Sequence, residues 1–130
     1  MVKFRNFITS SGKIVFGGKS AENNEELIKQ VKPNEVVLHT AMPGSPFVNI
    51  KGEVAKKDIK DAAIFCAKYS QDWRDNKKDV LVHIFNGTDI FKDKKMKIGT
   101  FGVKKFNTVK VKKEDILKLE RETKENHETY

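Results

Sequence analysis

Residues 37–48, Val-Leu-His-Thr-Ala-Met-Pro-Gly-Ser-Pro-Phe-Val, constrain this chain more than any other stretch. Two short apolar runs, Glu35 to His39 and Phe47 to Ile50, flank Pro43-Gly44-Ser45-Pro46. Alternation and β-branched residues predict a strand on each side. Pro43 fixes its own φ and Gly44 can supply the positive φ that a type II turn needs next. Ser45, before a second proline, is held to extended backbone. The expected product is a stiff loop with His39, Thr40 and Ser45 on its rim. Such a loop is either a rigid connection or a place for a site. Loop chemistry alone favours the connection.

The rest of the chain reads as one domain built around these strands. Phe4 to Thr9 and Lys13 to Phe16 form a hairpin about Ser10-Ser11-Gly12. Ser20 is the expected N-cap of a helix whose buried side is Leu27, Ile28 and Val31 and which Pro33 ends. A longer helix is expected from Asp58 to Trp73, because Ile59, Ala62, Ala63, Cys66, Tyr69, Ser70 and Trp73 fall on one face. Val80 to Phe85 alternates as a strand. Asn86-Gly87 is the strongest two-residue hairpin signal, so Thr88 to Phe91 is expected to return beside it. Asp93 to Lys97 reads as a basic loop, and Ile98 to Val103 and Thr108 to Val111 as strands. The fold class is therefore α+β, a mostly antiparallel sheet with one long and one shorter helix packed on it. Residues 1–112 form the domain, and residues 113–130 a helical tail that should fray beyond Arg121, where no apolar residue follows until Tyr130.

Charge is placed unevenly. The net charge is +8. Residues 92–113 hold nine lysines and one acid, Asp93, and so carry all of it. A single basic segment on an otherwise neutral domain is the pattern of a polyanion binder, against the alternative of a solvated face. The cations proposed for phosphate are Lys104, Lys105, Lys110 and Lys112, with Lys13, Lys19 and Lys51 from the hairpin, the helix start and the loop exit. Phe85, Phe101 and Phe106 are candidate stacking groups, with core packing as the alternative for each.

Other chemistry is poorly supported. His39, His83, His127 and Cys66 fall in four elements without ligand spacing, so no metal and no cofactor are expected. Ser45 and His39 could approach across the turn, but no acid is placed to orient the histidine and no Gly-x-Ser-x-Gly elbow exists. Gly18-Lys19-Ser20 lacks the first glycine of a P-loop, since Lys13 stands where it would fall. A lone cysteine allows no intrachain disulfide. No apolar run approaches a membrane span and residues 1–9 are too short and too basic for a signal peptide. A cytoplasmic, non-enzymatic protein, monomeric or weakly dimeric, is expected.

His39 followed by Pro43-Gly44-Ser45 resembles the H-x-x-x-P-G-S signature of the NFACT-R domain, found in ribosome quality-control proteins of the RqcH and NEMF type. Gly12 to Lys19 resembles that family's opening hairpin, Asn23-Asn24-Glu25-Glu26-Leu27 its first helix, Ala62-Ala63 through Tyr69-Ser70 its second, and Ile98-Gly99-Thr100-Phe101 a later strand entry. Residues 1–112 are covered. Val37-Leu38 stand where many members have Trp-Phe, Glu35 replaces an Asp, and Pro46 stands where many have a second histidine. The resemblance implies an RNA-binding module acting on tRNA or the ribosome, with His39, Pro43, Gly44, Ser45 and nearby lysines as its site. A protein-interaction module docking on ribosomal proteins and a DNA-binding module are the alternatives.

Overall fold

The computed structural model describes residues 3–128, with side chains described through Thr123. The elements in chain order are β1 (Arg5–Ile8), β2 (Ile14–Gly17), α1 (Ala21–Lys29), β3 (Val36–Thr40), β4 (Val48–Ile50), α2 (Lys56–Lys68), α3 (Gln71–Asn76), β5 (Val80–Asn86), β6 (Ile90–Phe91), β7 (Gly102–Val103), β8 (Asn107–Val111) and α4 (Lys113–Glu128). Six strands make one sheet in the order β1-β2-β4-β3-β5-β8, and β6 and β7 pair separately. Every pairing is antiparallel. The class is α+β, as the alternation of the strands implies.

Strand alternation sorts the apolar side chains onto two faces. Val15, Leu38, Val48, Ile50, Val80, Val82 and Val111 meet α2 on one face. Small residues Ala62, Ala63 and Cys66 let α2 lie close to the sheet, and Trp73 of α3 and Ile116 of α4 complete that core. Val37, Phe47 and Phe85 point the other way and meet Leu27 of α1. Phe101, Ile90 and Val103 pack beside them, so the segment holding β6 and β7 covers part of the second face. Burial of a large aliphatic or aromatic side chain stabilises by about 1.5–3 kcal/mol, and both layers draw on it.

Helix ends follow local chemistry. The Ser20 side chain accepts from Asn23 N and starts α1. Asp58 accepts from Ala55 N at 2.8 Å and from the hydroxyls of Thr9 and Ser11. That one buried carboxylate caps α2 and ties it to the β1–β2 hairpin. Its pKa is held below the ordinary Asp value, first by the Ser11 hydroxyl, then by Ala55 N–H and Thr9.

Three expectations are corrected. The helix expected over Asp58–Trp73 is two helices, because Ser70 donates to Ala67 O at 2.7 Å and accepts from Trp73 N at 3.1 Å, closing α2 and capping α3. Asn86-Gly87 is not a hairpin. Both neighbours of β5 are already taken, by β3 and β8. Instead residues 87–89 form a short 3-10 turn. Gly87 N donates to Glu35 O and Thr88 N to Pro33 O, both at 3.0 Å. A Cβ on Gly87 would lie 2.4 Å from Lys32 O, so the glycine serves a close approach. Finally, only Gly102–Val103 of the expected Ile98–Val103 strand is extended ladder. In α4, the helix joins the core through Ile116 with Leu117 and Leu119 beside it; the side chains of His127 and Tyr130 lie outside the described residues.

Candidate nucleic-acid interface

The loop between β3 and β4 is braced from within. Thr40 Oγ1 donates to Met42 O at 2.6 Å, and Thr40 N donates to Ser45 Oγ at 3.1 Å. Ser45 Oγ donates in turn to Pro46 O at 3.0 Å. Gly44 takes φ +86°, the left-handed region, and its carbonyl accepts from Gln71 N at 2.7 Å. The first turn of α3 thus backs the loop from below.

This loop forms one wall of a cleft of about 410 Å³. His39, Phe47, His83 and Phe85 line its base, and Ala41, Pro43 and Gly44 line the loop side. His39 and His83 are direct partners in the β3–β5 ladder and so share a face. The His39 ring lies 4.5 Å from Phe47. Phe106 lies over His83 at 3.8 Å between ring centroids and 22° between planes.

The opposite wall is Gly99, Thr100 and Phe101. It is fixed by one carboxylate on α1: Gly99 N donates to Glu25 at 2.6 Å and Lys92 Nζ at 2.7 Å. Lys92 also donates to Lys97 O and Thr100 O, both at 2.7 Å, and lies over the Phe101 ring. The hydrogen bond from Lys92 is the leading cause that holds Glu25 below the ordinary carboxylate range. This network also explains why Ile98–Phe101 is not a strand.

Both histidines are tuned toward neutrality. Burial pushes the His39 pKa down, partly opposed by its hydrogen bond to Thr40 O and helped by His83 nearby. Burial also lowers His83. His39 Nδ1 lies 2.7 Å from Thr40 O; a carbonyl only accepts, so Nδ1 carries the proton and Nε2 is left as an acceptor. Ser45 and His39 are each committed to backbone partners, and no hydrogen bond joins them among the described residues. The arrangement does not activate a nucleophile. Cys66 is buried, and burial pushes its thiol up to about 12. No group of three or more His, Cys, Asp or Glu among the described residues could hold a metal. No described helix is long and apolar enough to cross a membrane.

Several residues singled out from sequence converge here. His39, Pro43 and Gly44 line the cleft, and Ser45 braces it from behind. Lys104 and Lys105 are exposed and sit between Val103 and Phe106, which both line it. Lys19 is exposed at the start of α1, two residues before Ala21, against which Gly99 is closely packed. Lys110 faces Leu81 on the edge strand β8, and alternation puts it and Lys112 on the cleft's face of the sheet.

Lys13 and Lys51 are elsewhere. β4 runs away from the loop, and Lys51 N donates to Ile14 O at the far end of the sheet. Lys51 Nζ donates to Glu35 Oε1 and Gln30 Oε1, both at 2.7 Å, and to Asn49 Oδ1 at 3.1 Å. That lysine is part of the fold's interior wiring. His83 and Thr100 line the cleft although the sequence did not single them out for it. The signal for His83 was its alternation within Val80–Phe85, which identifies a face only once β5 is known to pair with β3.

A solved structure titled "The structure of the C-terminal of the fibronectin/fibrinogen-binding protein from Streptococcus suis (FBPS)" shares the fold, with a TM-score of 0.76 at 23% identity, over 85% of this chain and 45% of that one. The ribosome quality control complex subunit NEMF homolog of Drosophila melanogaster is 30% identical over 76 residues, which is 55% of this chain and 8% of that protein. This chain therefore spans less than half of the solved chain and a small fraction of the fly protein. The family described as NFACT protein RNA binding domain matches residues 3–105, and the chain belongs to that family.

Proposed function

We propose that this domain binds RNA without catalysing a reaction on it, and that it works on tRNA or the ribosome. The observation that carries the reading is the cleft, where an aromatic ring stacked on His83 stands beside exposed Lys104 and Lys105. Stacking surfaces next to cations are what single-stranded nucleic acid needs, because bases offer π-faces and the backbone offers charge. The family's description as RNA binding supports the same reading. The ribosomal setting rests on the fly relative's role in a quality control complex, and a cytosolic place of work goes with it.

Fluorescence anisotropy of labelled RNA against salt concentration tests it. With about three phosphates neutralised, the log–log slope for a single strand is expected near −2. Binding that is retained with a flat salt response overturns the electrostatic reading and favours a protein-interaction module. Tighter binding of single-stranded DNA of the same sequence favours the DNA-binding alternative.

A further inference from the structure

We infer that the cleft seats one unpaired nucleobase, stacked on the outer face of Phe106 so that His83, Phe106 and the base form one continuous stack. The inference rests on the RNA-binding reading above and assigns the ligand of that site.

Phe106 is 48% exposed, whereas Phe47 and Phe85 nearby are buried. One face of its ring is covered by His83 at 3.8 Å. The ring is thereby held against the His83 ring of β5, and its exposed remainder leaves room for a further planar group. A base laid there extends a stack that the protein has already begun.

The polar groups suit a base better than a phosphate. Both imidazoles are driven toward the neutral form by burial. An uncharged pair does not attract a phosphate, and a neutral His83 beneath Phe106 lengthens the stack that a base would join. His39 keeps Nε2 as an acceptor, because Nδ1–H is engaged by Thr40 O. The cations stand at the rim instead: Lys104 and Lys105 directly precede Phe106 in the chain. That division puts phosphates outside and a base within. The volume of about 410 Å³ falls within the range of pockets for compact ligands.

Rigidity favours the same assignment. One wall is the Pro-Gly-Ser loop tied to α3, and the other is held by Glu25 and Lys92. A preformed slot loses little ordering entropy when a flat ligand enters.

The test uses the full chain and two short single-stranded RNAs of equal length, one with all its bases and one with abasic residues at its centre. The base-bearing strand is expected to bind about tenfold more tightly, the effect of one stacked base. Phe106→Ala should remove that difference by weakening the base-bearing strand alone, and Phe106→Tyr should restore it. A 2-aminopurine placed at the centre should lose emission on binding to the native protein and keep it with Phe106→Ala. Equal affinity for both strands, or equal weakening of both by Phe106→Ala, overturns the base pocket while leaving RNA binding intact. Failure of both strands to bind overturns the RNA reading and the pocket with it.

Discussion

His39 and His83 stand directly opposite each other across the β3–β5 ladder, on the face that carries the cleft. Burial lowers the pKa of both. The unfolded chain takes up these protons near pH 6.5, while the folded chain takes them up only at lower pH. Between those two values the unfolded state binds more protons, so stability falls as pH falls. The contribution is full above about pH 6.5 and is lost on the way down to the folded pKa values. Melting temperature is therefore expected to drop from neutral pH toward pH 5, before carboxylate titration begins. His39→Gln should flatten that part of the curve. An unchanged pH profile in the variant would mean that His39 titrates as it does in the unfolded chain.

Glu35 and Lys51 form the second pair with a clear consequence. Their side chains are 6% and 25% exposed and 2.7 Å apart. Burial raises the Glu35 pKa, but hydrogen bonds from Lys32 N, Lys51 and Gly52 N outweigh it and the net shift is downward. Removing the lysine strands a buried carboxylate, which is costly even where solvent reaches part of the site. Lys51→Ala is expected to destabilise by about 2 kcal/mol, with the RNA affinity of the folded protein unchanged. Chemical denaturation and anisotropy on the same preparation check it. A loss of affinity with unchanged stability would return Lys51 to the RNA site.

Gly44 was legible as the positive-φ residue of the loop, and its φ of +86° makes substitution strained. A Cβ there would also come within 2.5 Å of the Gln71 side chain. Gly44→Ala is expected to destabilise by about 1–2 kcal/mol. Gln71→Ala in the same background should recover part of that loss, since it removes the contact and leaves the backbone strain. Thermal melts of the two single variants and the double variant separate the contributions.

What the sequence made legible was local. Alternation located β1 to β5 and β8, Ser20 declared the start of α1, and Pro43-Gly44 declared the loop. What escaped depended on partners distant in the chain. Asn86-Gly87 has ideal hairpin chemistry, yet its glycine is used to pass close to Lys32, and the space beside β5 belongs to β3 and β8. Ile98-Gly99-Thr100-Phe101 has strand composition, yet Glu25, 74 residues from Gly99, pins it as a wall. The site divided in the same way. His39, Pro43 and Gly44 could be read from one stretch, whereas His83 joins them only through strand register. The lysines of the two ends could not be told apart without the direction of β4.

That division yields the last prediction. Lys104 and Lys105 flank the cleft, while Lys13 precedes β2 at the opposite end of the sheet. If phosphates track the cleft rim, neutralising the two rim lysines removes two counterion-releasing contacts. Lys104→Gln with Lys105→Gln is then expected to lower the magnitude of the salt slope for single-stranded RNA by about 1.4, and to weaken binding by ~1 kcal/mol or more at moderate salt. Lys13→Gln should leave both quantities unchanged. Exposed lysines contribute little to the fold, so each variant should keep its stability within about 0.5 kcal/mol. An equal effect of Lys13→Gln would mean that RNA runs the length of the sheet rather than across the cleft. No effect of the rim pair would make the basic segment a solvated face, and the cleft would then bind its ligand without help from charge.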